Sequence, residues 1–251
     1  MKESKRDKSR YFLKDSIRQE IDFSQTDQNR GLPAPEIQKS CPEGVERIKL
    51  VKPEEFRDIS KLDVYTAILN RRSRRNFKSD ALSIKELSFL LWATQGVRKV
   101  ADSGTAFRTV PSAGCRHALE TYLCVFNVEG LEEGIYHYLP LEHEVHIAAR
   151  HDGLRAQLAS ATLGQDFIAR SAVTFVWTTM PYRMEWRYDN ASVKVIAIDA
   201  GHVCQNLYTA CEAIGAGTCA IAAYDQFLMD ELLGVDGEDE FTIYLAPVGK
   251  F

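Results

Sequence analysis

Residues 193–214 carry the strictest pattern in this chain. Ile196, Ala200, Val203, Leu207, Cys211 and Ile214 recur at helical spacing on one face, and Gly215 follows as a stop. A helix with one apolar stripe has to bury it against another layer. Strand-like stretches offer that layer: residues 121–128 alternate β-formers, 134–139 follow a turn, and 144–149 close a small meander. Residues 172–179 read as a buried strand, 219–223 as a short one and 241–248 as the last. Further helices are expected over 154–163 and from Asp225 to a stop at Gly234. Two more start at a cap on Asp63, carrying Val64, Ile68 and Leu69, and at the capping box Ser83-Ile84-Lys85-Glu86, which runs on to Gly96. A loop with Gly104 and Arg108 then leads to Pro111. The order is not a βαβ alternation, so the expected class is α+β.

Composition narrows the function. The chain has 251 residues, 45% apolar and 26% charged, with a net charge of −4. A general nucleic-acid binder would show a basic balance instead. No apolar run reaches the length of a membrane span, and the charged N-terminus lacks the apolar core of a signal peptide. The six cysteines include no C-x-x-C pair, which suits buried free thiols in a reducing cytoplasm better than zinc or a disulfide framework. Residues 1–60 read as a separate N-terminal arm ahead of a 61–251 domain. Lys2, Lys5, Arg6, Lys8, Arg10, Lys14 and Arg18 make its start basic, the only basis for an RNA-binding reading, and Pro33, Pro35, Pro42 and Pro53 favour an extended strap of the kind that wraps a partner subunit.

Several chemistries drop out on context. Gly215-Ala216-Gly217-Thr218-Cys219-Ala220 matches the dinucleotide pattern G-x-G-x-x-A, but it follows a helix and opens a strand, the reverse of what that fingerprint requires. No P-loop or G-x-S-x-G elbow is present. His143 and His146 lie among Glu142 and Glu144, and a solvated turn is expected there. The strongest candidate site is Arg71-Arg72-Ser73-Arg74-Arg75: guanidiniums with a rigid donor fork flank one small hydroxyl, a set that matches phosphate oxygens. Taken alone, such a run is most often a solvated basic turn.

Four motifs in order carry more than any one of them. Arg71-Arg72-Ser73-x-Arg75-x-Phe77, the helix from Leu82-Ser83 to Gly96, Pro111-Ser112-Ala113-Gly114, and Asp199-Ala200-Gly201-His202-x-x-Gln205-Asn206-Leu207 together resemble the nitroreductase superfamily of flavoproteins, closest to its SagB-type, azoline-oxidase-like branch. The likeness runs from about Leu62 to the C-terminus. It implies a mixed central sheet packed by helices, and a homodimer with FMN at the subunit interface. By the same resemblance Arg71, Arg72, Ser73 and Arg75 hold the FMN phosphate and ribityl chain, with Lys250 as a further basic contact. Pro111, Ser112, Ala113 and Gly114 arrive from the other subunit to line the isoalloxazine, and Ala220, Ile221, Ala222 and Ala223, in the strand from Cys219, present backbone groups to its polar edge. Relatives often carry Gly where Ala222 or Ala223 stands, so space over the ring is narrower here. Cys115-Arg116-His117 is more polar than usual in the branch; His117 is expected at the surface, with contact to flavin or substrate as the alternative.

The azoline oxidases use a Lys-Tyr pair as base machinery, and Trp186-Arg187-Tyr188 fills that stretch. A guanidinium stays protonated and makes a poor general base. The expected activity is therefore two-electron, ping-pong transfer from NADH or NADPH to a nitroaromatic, quinone or similar small acceptor, with Arg187 and Tyr188 steering that acceptor. Dehydrogenation of a peptide azoline or other small substrate and a flavin-binding module without reductase activity are the alternatives. No nucleic acid or membrane partner is expected.

Overall fold

The structure, a computed structural model, describes residues 10–251; the basic positions Lys2, Lys5, Arg6 and Lys8 lie outside them. The sheet has seven strands: β1 (Arg47–Lys49), β4 (Leu119–Val125), β5 (Gly134–Leu139), β6 (Glu144–Ala149), β7 (Val173–Thr179), β8 (Ala216–Thr218) and β9 (Phe241–Lys250), in the order β1-β6-β5-β4-β7-β9-β8. Every pairing between these strands is antiparallel. Parallel pairing enters at two isolated bridges, Ser73 with Thr218 and Leu82 with Val128. The separate two-stranded hairpin β2 (Val97–Asp102) and β3 (Thr105–Arg108) stands where the sequence suggested a loop. Its first strand is almost wholly exposed, so it shows no apolar alternation to detect.

Both faces of the sheet are covered, and β4, β5 and β7 are buried at every residue. Val173, Phe175 and Trp177 pack into one core with Leu123 and Val125, while Val176, Tyr122 and Cys124 pack into the other, as the two-residue strand period requires. The first core is closed by α2 (Ile84–Gln95) and α5 (Ser192–Ala213), the second by α3 (Leu154–Ala161) and α6 (Gln226–Leu233). The expected stripe on α5 is the buried one: Ile196, Ala200, Val203, Leu207 and Cys211 all face inward. The capping box at Ser83 closes as read, with Ser83 Oγ accepting from Glu86 N at 3.2 Å and Glu86 Oε2 from Ser83 N at 2.9 Å.

Two further helices bear on the site. α1 (Val64–Asn70) is capped by Asp63, which accepts from Thr66 N, and buries only Ala67; Val64, Tyr65, Ile68 and Leu69 face solvent. α4 (Tyr182–Tyr188) follows β7 and carries the Trp-Arg-Tyr stretch. Several of the described residues ahead of α1 lie against the rest of the chain. Ile17, Ile37, Leu50 and Phe56 are buried, β1 extends the sheet edge beside β6, and Trp186 Nε1 donates to Leu32 O at 3.1 Å.

Candidate active site

The Arg71–Arg75 run leaves α1 and passes alongside β8. Ser73 bridges Thr218, and Arg74 N donates to Thr218 O at 2.9 Å. The extended run sends its side chains to different destinations. Arg74 turns inward: its guanidinium donates to Glu212 Oε1 at 3.2 Å and lies 3.4 Å from the centre of the Phe251 ring. Its stem crosses Gly217, where a Cβ would sit 2.4 Å from Arg74 Cδ. β8 runs over Ala216–Thr218 and the expected strand at 219–223 does not form; within that stretch only Ile221 returns to the sheet, bridging Leu245. Arg72, Ser73 and Arg75 remain exposed and Arg71 half-buried over the Tyr208 ring. Among the described residues no carboxylate pairs with Arg71, Arg72 or Arg75.

Tyr208, which sequence reasoning missed, joins this run to the following turn. Its hydroxyl stands 2.9 Å from Ser73 Oγ and accepts from Ala220 N at 2.9 Å. Ile221 N donates to Leu245 O, so two of the four backbone amides over 220–223 are already engaged. Ala222 and Ala223 are exposed, and their amides donate to no group among the described residues. Lys250 is anchored within the chain: its ammonium donates to Glu86 Oε1 at 2.5 Å and to Ile214 O at 2.7 Å.

The Pro111–Gly114 segment lies elsewhere. Gly114 holds a left-handed φ of 59°, and a Cβ there would sit 2.6 Å from Tyr188 Oη and 3.0 Å from Arg187 Cδ. Arg187 and Tyr188 therefore close on Gly114. Ser112 Oγ accepts from His117 N at 2.9 Å. Asp199 lies beside Ser112 around one small cavity, and burial raises its carboxyl above the usual range. Within one chain the two groups of candidates meet different parts of α5, at Asp199 and at Tyr208. Nine residues separate those positions, about 14 Å along the helix.

His117 is not a surface residue. It is 6% exposed at φ 47°, and burial, followed by the nearby Arg108 charge, lowers its pKa to about 3. The solvated-turn reading of His143 and His146 also gives way. His143 Nδ1 is 2.7 Å from Tyr138 Oη and its Nε2 is 3.0 Å from Val51 O, while His146 is 4% exposed with Nε2 3.2 Å from His137 Nδ1. His146 faces inward from β6, whereas His143 stays in the turn ahead of that strand, half-buried. His137 leads to a buried polar cluster that no local motif announces. Glu120 accepts from Arg183 at 2.6 Å, from Lys39 N at 2.8 Å, and lies 2.8 Å from His137 Nε2. Burial alone would raise the Glu120 carboxyl, but Arg183, His137 and Arg108 hold it well below the ordinary carboxylate range. Arg183 sits on the first turn of α4, so this cluster fixes the helix that carries Arg187 and Tyr188.

The model of the nitroreductase family matches residues 68–250. A Methanocaldococcus jannaschii protein described as a nitroreductase is 32% identical over 193 residues, covering 77% of this chain and 93% of its own length. The trifolitoxin-processing protein TfxB of Rhizobium leguminosarum bv. trifolii is 27% identical over 154 residues, which span 60% of this chain but only 41% of that protein. A crystal structure from Ralstonia eutropha, described as a nitroreductase, superposes with a TM-score of 0.67 at 24% identity, covering 87% of this chain and 98% of its own. Among the described residues no helix is long and apolar enough to cross a membrane.

Proposed function

The chain belongs to the nitroreductase family of oxidoreductases, and from that premise we propose an FMN-dependent enzyme that passes two electrons from NADH or NADPH to a nitroaromatic, a quinone or a similar small acceptor. One observation carries the proposal: Arg71, Arg72 and Arg75 crowd onto one solvent-facing run with no carboxylate among the described residues to neutralise them. Like charges held together repel, and a dianionic phosphate relieves that repulsion through bidentate hydrogen bonds. The neighbouring groups fit the rest of the cofactor. Ser73 offers a small hydroxyl, and the unengaged amides of Ala222 and Ala223 are donors for a ring edge, on side chains short enough for a flat ring to approach.

When bound, FMN supplies the two-electron carrier. Residues of the chain bind, orient and limit access. Arg71, Arg72, Ser73 and Arg75 hold the phosphate end. Lys250, paired with Glu86 and bound to Ile214 O, fixes the end of β9, and a phosphate contact from it would require its ammonium to leave Glu86. Pro111, Ser112, Ala113 and Gly114 reach the ring from a second copy of the chain, since each copy holds its own segment at the far part of α5. The homodimer is supported by the solvent-facing Val64, Tyr65, Ile68 and Leu69 of α1, an apolar set that a monomer would leave in water. Residues 61–251 form the flavin domain in this reading, with 1–60 an appended arm. Reductant and acceptor share one slot, which gives ping-pong kinetics, and Arg187 and Tyr188 steer the acceptor.

A second reading draws on the likeness to the trifolitoxin-processing protein: dehydrogenation of a peptide azoline, with oxygen as terminal oxidant. Arg187 weighs against it, because a guanidinium does not release a proton at neutral pH. The visible spectrum of the purified protein tests both. Yellow bands that bleach on anaerobic NADH or NADPH support the reductase, and their loss in R71Q/R72Q/R75Q supports the phosphate assignment. Yellow bands that neither nicotinamide bleaches, with azoline oxidation appearing in R187K, would shift the assignment to the second reading. A colourless protein that ignores added FMN would overturn both.

A further inference from the structure

A cavity of about 760 Å³ opens against the first turn of α4, where Tyr182, Arg183 and Glu185 line it. That volume suits a small organic ligand. None of Arg71, Arg72, Ser73, Arg75, Ala222 and Ala223 lines it, so it does not rest on the flavin reading. Its floor is apolar, built from Met180, Ile196, Phe241 and Ile243. Its rim is acidic: Glu36, Glu185, Glu238 and Asp239 all line the opening, and among the described residues none is in an ion pair. The two cations in the lining are committed elsewhere. Arg183 is held on Glu120 at 2.6 Å, and Lys39 on Glu240 at 2.5 Å and the Tyr122 hydroxyl at 3.0 Å.

Two polar side chains also belong to the lining. Thr179 and Ser192 are each 1% exposed, and among the described residues neither hydroxyl has a hydrogen-bond partner. The rim acids also press on one another. Burial raises the Glu185 carboxyl, and the charges of Asp189 and Asp239 raise it further. From this combination we infer that the cavity is a binding site for a small cation with an apolar body: a protonated amine carrying an aromatic or branched aliphatic group. A free amine and a lysine side chain beside an aromatic residue in a peptide share that chemistry. Because the cavity touches the start of α4 and Gly114 touches its end, the occupant sits one short helix away from Arg187 and Tyr188.

Isothermal titration calorimetry on the full-length protein tests the inference. The probes are tryptamine, its neutral analogue tryptophol, the anionic indole-3-propionate, and lysyl-tryptophan amide as the peptide form. Tryptamine or the peptide is expected to bind at least tenfold more tightly than the neutral and anionic probes, with affinity falling as salt rises. E185Q/D239N, which alters only exposed rim positions, is expected to weaken that binding roughly tenfold while leaving thermal unfolding unchanged. I243W, which fills the floor, should abolish it. Binding by tryptamine alone assigns the site to free amines, and binding by the peptide alone assigns it to a peptide side chain. The inference fails if the three indoles bind alike, if neither cationic probe binds, or if the rim variant binds like the parent.

Discussion

Glu120→Gln is the substitution whose outcome the structure specifies most tightly. The carboxylate is 1% exposed and accepts from Arg183, from Lys39 N and from the His137 side. Glutamine keeps the shape and one acceptor oxygen, but it removes the charge and places an NH2 group against Arg183 or His137. The Arg183 guanidinium, itself 3% exposed, is left buried without a counter-charge. Arg108 shares that interior, and burial lowers its pKa to about 10. Breaking a buried pair from one side costs about 3–5 kcal/mol, a large part of the roughly 5–15 kcal/mol by which a domain is stable. For a chain of this size the expected fall in Tm is roughly 6–20 °C. Urea unfolding followed by tryptophan fluorescence reads the loss, since Trp177 and Trp186 are both buried reporters. Protein concentration is held constant so that association does not contribute. E120L/R183M, which removes both charges, should recover most of the loss. A fall below about 1 kcal/mol for E120Q, the range of an exposed pair, would refute the claim that this ion pair anchors α4.

Three other predictions follow from single contacts. Burial holds His117 neutral down to about pH 3, whereas unfolded histidine takes up its proton near 6.5. The unfolded state therefore binds more protons between those limits, and stability falls as pH drops through that window, by up to about 1.4 kcal/mol per pH unit from this group. His143 and His146 are lowered in the same direction, so H117N, which tolerates the left-handed φ, should flatten but not abolish the acid limb of a denaturation series run from pH 7 to 5. Gly114→Ala should destabilise by about 1–2 kcal/mol from its positive φ alone, and by more through its clash with Tyr188. Gly44→Ala, at φ 75° with open space around it, measures the first term separately by thermal unfolding. If the proposed FMN reading holds, Tyr208→Phe, which removes the link between Ser73 and Ala220, should weaken FMN binding roughly five- to tenfold, on the scale of one neutral hydrogen bond, with little change in Tm; unchanged flavin fluorescence titrations would detach Tyr208 from the site.

What the sequence reveals depends on how far apart the deciding groups lie. The α5 stripe, the strands over 134–139 and 144–149 and the capping box at Ser83 were legible because residues within a turn or two settle them. The run of guanidiniums was legible too, but not its division of labour: that Arg74 turns inward follows from Glu212, Phe251 and Gly217, all more than a hundred residues away. The stretch from Cys219 to Ala223 has the composition of a strand, yet pairing is decided at the sheet edge, where residues 216–218 meet 248–250 and the chain then departs with Tyr208 holding Ala220 N. Glu120 was invisible for the same reason. A carboxylate inside an apolar strand reads as a conflict until Arg183, some sixty residues on, arrives to neutralise it. Local pattern therefore locates the layers, and distant charges decide which polar groups are left free on the surface. In the proposed reading, Arg71, Arg72 and Arg75 become informative only once Arg108, Arg116 and Arg183 are placed in the interior and Arg74 on Glu212, because an unpaired cation is informative only against neighbours that have found partners.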